Sequence, residues 1–161
     1  MARRLAAVRL AVNLIHLVSE QTLQNLLPLL ALRPACVIQI RSADERFAKA
    51  AQSLQQAVAV LGQTAPYRDF RPEFFELVIA EKSPSVDATR SKVGEALSLW
   101  PGAVVNLTGG TKPMSIGAWI SAAYQHEPVL YCDTQERRFV FEGKARPPAT
   151  TPFDEVAATL T

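Results

Sequence analysis

Short apolar runs alternate repeatedly with longer amphipathic segments along this chain, and that rhythm restricts the fold more than any single motif. Two parallel strands need a crossover of about a dozen residues between them, so the pattern calls for a sheet with helical connections. Val12 to Val18, Ala35 to Ile40, Phe74 to Ala80, Ala103 to Leu107 and Val129 to Cys132 read as strands. Thr22 to Leu32, Asp44 to Leu61, Asp87 to Trp100 and Lys112 to Gln125 read as the helices between them. Pro28 should kink the first helix or delay its start. Gly62 and the pair Pro101-Gly102 stop the next two. Arg138 to Phe141 follows the last strand after a short polar stretch, the spacing of a terminal hairpin. The fold class expected is α/β: a Rossmann-like three-layer parallel sheet with helices on both faces and a C-terminal β-hairpin. Residues 1–142 form one ligand-sensing domain on this reading. Residues 143–161 form a linker-like tail, Pro- and Thr-rich to Pro152, in which Phe153 to Leu160 can make one short helix.

Composition supports a single soluble domain. The 161 residues are 48% hydrophobic and 20% charged, enough to bury roughly two-thirds of the unfolded surface without a metal or disulfide staple. A net charge of only +2 gives too weak a field for a general nucleic-acid binder, and duplex DNA binding is not expected. Any anion site has to be built locally. Cys36 and Cys132 sit inside apolar runs, where cysteine acts as a small hydrophobe, and a reducing, cytoplasmic compartment is expected. Arg3-Arg4 before an apolar stretch imitates a signal peptide, but Arg9, Asn13 and His16 interrupt it and no cleavage site follows. That segment reads as the entry to the first strand. No apolar run approaches the roughly 20 residues that span a bilayer.

In a sheet ordered 3-2-1-4-5 the first and fourth strands are neighbours, and ligands bind where their carboxyl ends flank the reversal of winding. Those two ends carry the least core-like turns of the chain: Ser19-Glu20-Gln21-Thr22, and Asn106-Leu107-Thr108-Gly109-Gly110-Thr111-Lys112. The second has the makings of an anion cradle. Paired glycines permit positive φ and bare N–H groups, and the following helix adds orphan donors and the positive end of its dipole. Thr111 is placed to cap that helix, Lys112 brings a compact charge, and Pro113 suits a first helical turn. Thr111 and Pro113 stand where a P-loop needs glycine and a hydroxyl, so ATP hydrolysis is not expected. The plain alternative is a tight strand-to-helix turn with a solvated lysine. Ser19 and Thr22 equally suit helix capping, and Glu20 beside an anion should point away or meet a base edge.

The remaining candidates carry less. His16 lies among Leu14, Ile15 and Leu17 and reads as a packed core histidine. His126 sits at a helix C-terminus, where a cation suits the dipole, and Asp133-Thr134 suit a hairpin turn. No carboxylate pair, Cys/His cluster or nucleophile elbow stands out, so neither catalytic nor metal-ligating residues nor a cofactor are assigned.

The run Asn106 to Met114, together with Leu17-Val18-Ser19-Glu20-Gln21-Thr22 leading to Asn25-Leu26-Leu27-Pro28, resembles the CRISPR-associated Rossmann-fold (CARF) sensor domains of type III CRISPR systems. It looks most like the branch usually fused to nuclease or other effector domains. The likeness spans residues 10 to 142, and these two motifs are its specific part. It implies a homodimer that binds a cyclic oligoadenylate, most often the tetra-adenylate ring, across a two-fold interface and relays binding to an effector in antiviral signalling. The implied ligand contacts are Ser19, Glu20, Gln21, Thr22, Asn106, Thr108, Gly109, Gly110, Thr111, Lys112 and Met114, with Arg41 and Ser42 beside an adenine pocket. The effector, fused or separate, lies outside the residues that carry the resemblance. The alternative reading is a ring nuclease that cleaves the bound messenger without a metal. A mononucleotide or dinucleotide enzyme is disfavoured, because no Gly-x-Gly-x-x-Gly turn follows the first strand.

Overall fold

The computed structural model describes residues 12–143 and 147–161; the part of the N-terminal strand-entry reading that falls on residues 1–11 lies outside them. Its strands are β1 (Asn13–Leu17), β2 (Cys36–Ser42), β3 (Glu73–Ile79), β4 (Val104–Asn106), β5 (Val129–Asp133) and β6 (Arg138–Glu142). Its helices are α1 (Leu23–Leu32), α2 (Glu45–Leu61), α3 (Val86–Leu99), α4 (Lys112–Tyr124) and α5 (Phe153–Ala158). The sheet runs β3-β2-β1-β4-β5-β6. All neighbours pair in parallel except β5 and β6, which form the expected antiparallel hairpin.

Alternation along β1 divides the core in two. Leu14 belongs to a cluster with the leucines of α1 and with Leu54 and Val58 of α2. Ile15 and Leu17 belong to a second cluster with Val93 and Leu97 of α3 and Met114 and Ala118 of α4. Helices therefore cover both faces, and β1, β2 and β4 read as near-continuous apolar runs for that reason.

Three polar residues break this core in one row. The register sets His16 opposite Gln39 on β2 and opposite Asn106 on β4, so all three share a face, and all are 0% exposed. Gln39 is satisfied: it donates to the Ala51 carbonyl at 3.3 Å and accepts from Gln55 Nε2 at 2.7 Å. His16 is packed as expected, but neither ring nitrogen has a hydrogen-bond partner. Desolvation lowers its pKa from 6.5 to about 3.

The tail is seated on this core. Phe153 and Val156 are buried in the α1/α2 cluster, with Phe153 against Phe139 at a centroid distance of 5.4 Å. The Thr151 amide donates to the Ala31 carbonyl at 3.1 Å. Thr159 Oγ1 lies 2.8 Å from the Tyr67 hydroxyl, and Arg137 pairs with Asp154 at 2.7 Å. Linker-like composition before Pro152 thus precedes a helix whose apolar pair at i and i+3 has a defined seat.

Two outcomes follow. Above pH 6.5 His16 is neutral folded or unfolded and contributes nothing to the pH dependence. From there down to about pH 3 the unfolded chain takes up a proton that the fold refuses, so stability falls by up to about 1.4 kcal/mol per pH unit. Urea unfolding at pH 7 and pH 4.5 should show His16→Leu losing less stability over that interval than the native chain, and parallel losses would contradict the assignment. Phe153→Ala should cost about 3 kcal/mol or more by the same measurement, whereas an unchanged midpoint would mean that the tail does not hold the core.

Candidate functional site

β1 and β4 are neighbours, so the turns leaving their carboxyl ends meet. Between them lies an open cleft of about 490 Å³ lined by Ser19, Glu20, Gln21 and Gln24 on one side, Thr108, Gly110 and Thr111 on the other, and Arg46 and Phe47 from the first turn of α2. Gln21 and Thr111, ninety residues apart in sequence, therefore share one lip of the sheet.

A buried amide ties the two turns together. Pro28 lies inside α1 without ending it; having no N–H, it cannot bond the carbonyl of Gln24 four residues back. Asn106 does so instead, donating from Nδ2 to the Gln24 carbonyl at 3.2 Å and to Asn25 Oδ1 at 3.2 Å. Asn25 in turn donates to the Leu17 carbonyl at the end of β1, 2.9 Å away. The Asn106 Oδ1 accepts from the Thr108 amide at 3.0 Å and the Thr108 hydroxyl at 2.6 Å. The Thr108 Oγ1 then accepts from the Cys132 amide of β5 at 2.7 Å. Asn106 and Thr108 thus spend their side chains on joining β1, α1, β4 and β5. Burial, and then Asp133, push the Cys132 thiol up to about 11, so it stays protonated behind this network.

The glycines serve different ends. Of the pair Gly109-Gly110, only Gly110 adopts positive φ, at +80°. Gly109 is required by proximity: a Cβ there would collide with the Leu17 carbonyl oxygen and lie 3.1 Å from the Ser19 Cβ. Gly110 and Thr111 are exposed residues whose amides have no intramolecular acceptor among the described residues. Thr111 takes the extended N-cap geometry (φ −83°, ψ 168°), yet its side chain makes no capping bond, which corrects the expected cap. Thr22 corrects the other one: at φ −58°, ψ −38° its backbone is already helical and its hydroxyl caps nothing. Ser19 accepts from the Gln21 amide at 3.1 Å instead.

Several expected contacts do not face the cleft. The side chains of Asn106, Ser42 and Met114 are buried; Ser42 accepts from the Asp44 amide at 3.3 Å, and Met114 packs under Gly110. Arg41 pairs with Glu76 on β3 and donates to the Ser42 carbonyl at 3.0 Å. Lys112 is exposed on the first residue of α4, beside the cleft rather than in its lining. Glu20 does line it, meeting Arg46 at 3.5 Å. Gln24, Arg46 and Phe47 were not anticipated. For Arg46 and Phe47 the signal was topological: β2 neighbours β1, so the first turn of α2 opens beside the same crevice; Gln24 lies in the first turn of α1, just after the Ser19–Thr22 turn.

Among the described residues no group of three or more His, Cys, Asp and Glu gathers as a metal-binding set, and no helix is long and apolar enough to cross a membrane.

The chain matches a family model described as the Card1 CARF domain over residues 13–149. No curated protein matches it. Among solved structures it is similar to Can2 from Sulfobacillus thermosulfidooxidans in complex with cyclic tetra-adenylate (cA4), with TM-score 0.72 and 22% identity, covering 89% of this chain and 36% of that one. It is also similar to protein VC1899 from Vibrio cholerae, with TM-score 0.54 and 15% identity, covering 86% and 36%. At these identities the likenesses establish the fold, and this chain spans about a third of either protein's length. Both turns of the cleft and the Asn106 network fall inside the matched residues, and the chain belongs to the CARF family, matching its Card1 CARF domain model.

Proposed function

We propose that this domain is a cytoplasmic sensor that binds a cyclic oligoadenylate, with the tetra-adenylate ring as the first candidate, and relays binding to an effector of type III CRISPR defence. The observation that carries the reading is the pair of unpartnered amides at the exposed residues Gly110 and Thr111, at a helix N-terminus that no side chain of its own fills. Such a terminus favours a phosphate oxygen. Membership of the CARF family supports a nucleotide ring as the source of that phosphate. Lys112, at the adjoining helix start, adds a charge within reach of a ring that extends past the cleft.

The size of the cleft favours two protomers. Pockets of roughly 300–1,000 Å³ enclose drug-sized ligands, and a ring of four nucleotides is larger than those. One cleft of about 490 Å³ therefore holds part of it. α4 begins at this site and presents Ile116, Trp119, Ile120 and Tyr124 to solvent, exposed by 52, 42, 41 and 85%. Their spacing of i, i+3, i+4 and i+8 makes one apolar stripe. A second copy docked on this stripe around a two-fold axis covers it and brings the two Lys112 residues toward each other, an isologous arrangement suited to a symmetric ring.

Calorimetry with cyclic tetra-adenylate should give one ring per two chains, and Lys112→Ala should weaken binding by about 1–3 kcal/mol. No binding of either the tetra- or the hexa-adenylate ring would remove the proposal. In sedimentation, Trp119→Glu together with Ile120→Glu should yield a folded monomer that has lost ring binding; a dimer that survives both changes would exclude this interface. Linear products appearing when the ring is incubated with the domain in EDTA would make it a ring nuclease instead.

A further inference from the structure

Arg46 is the only cationic side chain among the residues lining the cleft, and its position is prepared. Asp44 is fixed as the N-cap of α2 by accepting from the Arg46 amide at 3.0 Å. Its other carboxylate oxygen accepts from Arg46 Nε at 3.3 Å and Nη2 at 3.2 Å. The guanidinium also lies 5.3 Å from the centroid of the Phe47 ring. These contacts occupy one edge of the fork and aim the rest across the cleft, where Nη1 lies 3.5 Å from Glu20 Oε1.

The two carboxylates around Arg46 differ in kind. Asp44 is on the same helix start and locked into a cap. Glu20 is on the other wall, in the turn after β1, with its side chain 56% exposed and no other partner among the described residues. A pair this exposed is weak, whereas a guanidinium offers a phosphate charge-assisted and bidentate bonds. Glu20 therefore occupies the place of an anion with an anion of its own, held loosely enough to leave. It also accounts for an acidic side chain at the rim of a site whose other features favour negative charge.

Resting on the cyclic oligoadenylate reading above, we infer that Arg46 grips a phosphate of the ligand and that Glu20 is its intramolecular competitor, displaced on binding and setting the affinity threshold of the sensor. Displacement leaves Arg46 tied to Asp44, so the guanidinium need not be reordered when the phosphate arrives, and only the exposed Glu20 turn must move.

Calorimetry with cyclic tetra-adenylate on the native chain, Arg46→Gln, Glu20→Gln and the double variant separates these roles, with thermal melts confirming that each variant folds. Arg46→Gln should weaken binding about tenfold or more, and Glu20→Gln should tighten it about two- to fivefold. In the Arg46→Gln background the Glu20→Gln gain should vanish, because the competitor has lost its target. If Arg46→Gln binds like the native chain while Lys112→Ala binds weakly, this inference fails and the sensor reading stands. A gain from Glu20→Gln that persists without Arg46 would likewise overturn the competitor role. Failure of the native chain to bind any ring would overturn both.

Discussion

The carboxamide of Asn106 holds the site in shape. Pro28 withholds a donor from the Gln24 carbonyl, and Asn106, reaching over from β4, supplies one at 3.2 Å. The same side chain accepts two bonds from Thr108, so the turn after β4 is fastened to α1 at one end and to β5 through Thr108 at the other. A buried amide costs stability unless its partners are all present. Losing any one member of this chain would therefore leave orphaned groups beneath the cleft and loosen the turn that carries Gly110 and Thr111. The helix defect at Pro28 and the buried asparagine are two halves of one device.

On that fixed floor the cleft divides its work between rigid and adjustable parts. Gly109 is pressed against the end of β1 and Gly110 is held in a left-handed turn, so the unpartnered amides are aimed by backbone rather than by side-chain rotamers. Preorganised donors of this kind bind without ordering a flexible chain first. The adjustable parts are the side chains on the rim, Glu20, Gln21 and Arg46, all exposed. Gln21 already accepts from Gln24 at 2.7 Å, which ties the turn after β1 to the first turn of α1.

Much of the fold was legible because the topology depends on periodicity and connection length, which are local. Each strand and helix of the sheet lies within a residue or two of its expected place, and the β1/β4 reversal follows from the usual winding order. What escaped the sequence was which individual side chains bond across segments that the topology brings together. Asn106 and Gln24 are 82 residues apart, and nothing local to either announces that Pro28 leaves a vacancy for the other. Arg46 looks like one more charge on an amphipathic helix until β2 is placed beside β1. Thr22 and Thr111 have the right chemistry for caps, but the backbone at Thr22 is already helical so that its hydroxyl caps nothing, and Thr111, correctly shaped, leaves its hydroxyl unused. In the tail, the short helix expected over Phe153 to Leu160 is present at Phe153–Ala158, and its seat on the α1/α2 cluster comes from Phe153 and Val156.

In the proposed sensor the backbone amides of Gly110 and Thr111 bind the phosphates of a ring shared by two chains. Titrating cyclic tetra-adenylate into the isotopically labelled domain and following individual amide resonances by NMR tests it directly. Gly110 and Thr111 should show large downfield proton shifts that saturate at one ring per two chains. Saturation with those two amides unmoved, and shifts confined to another part of the molecule, would contradict it.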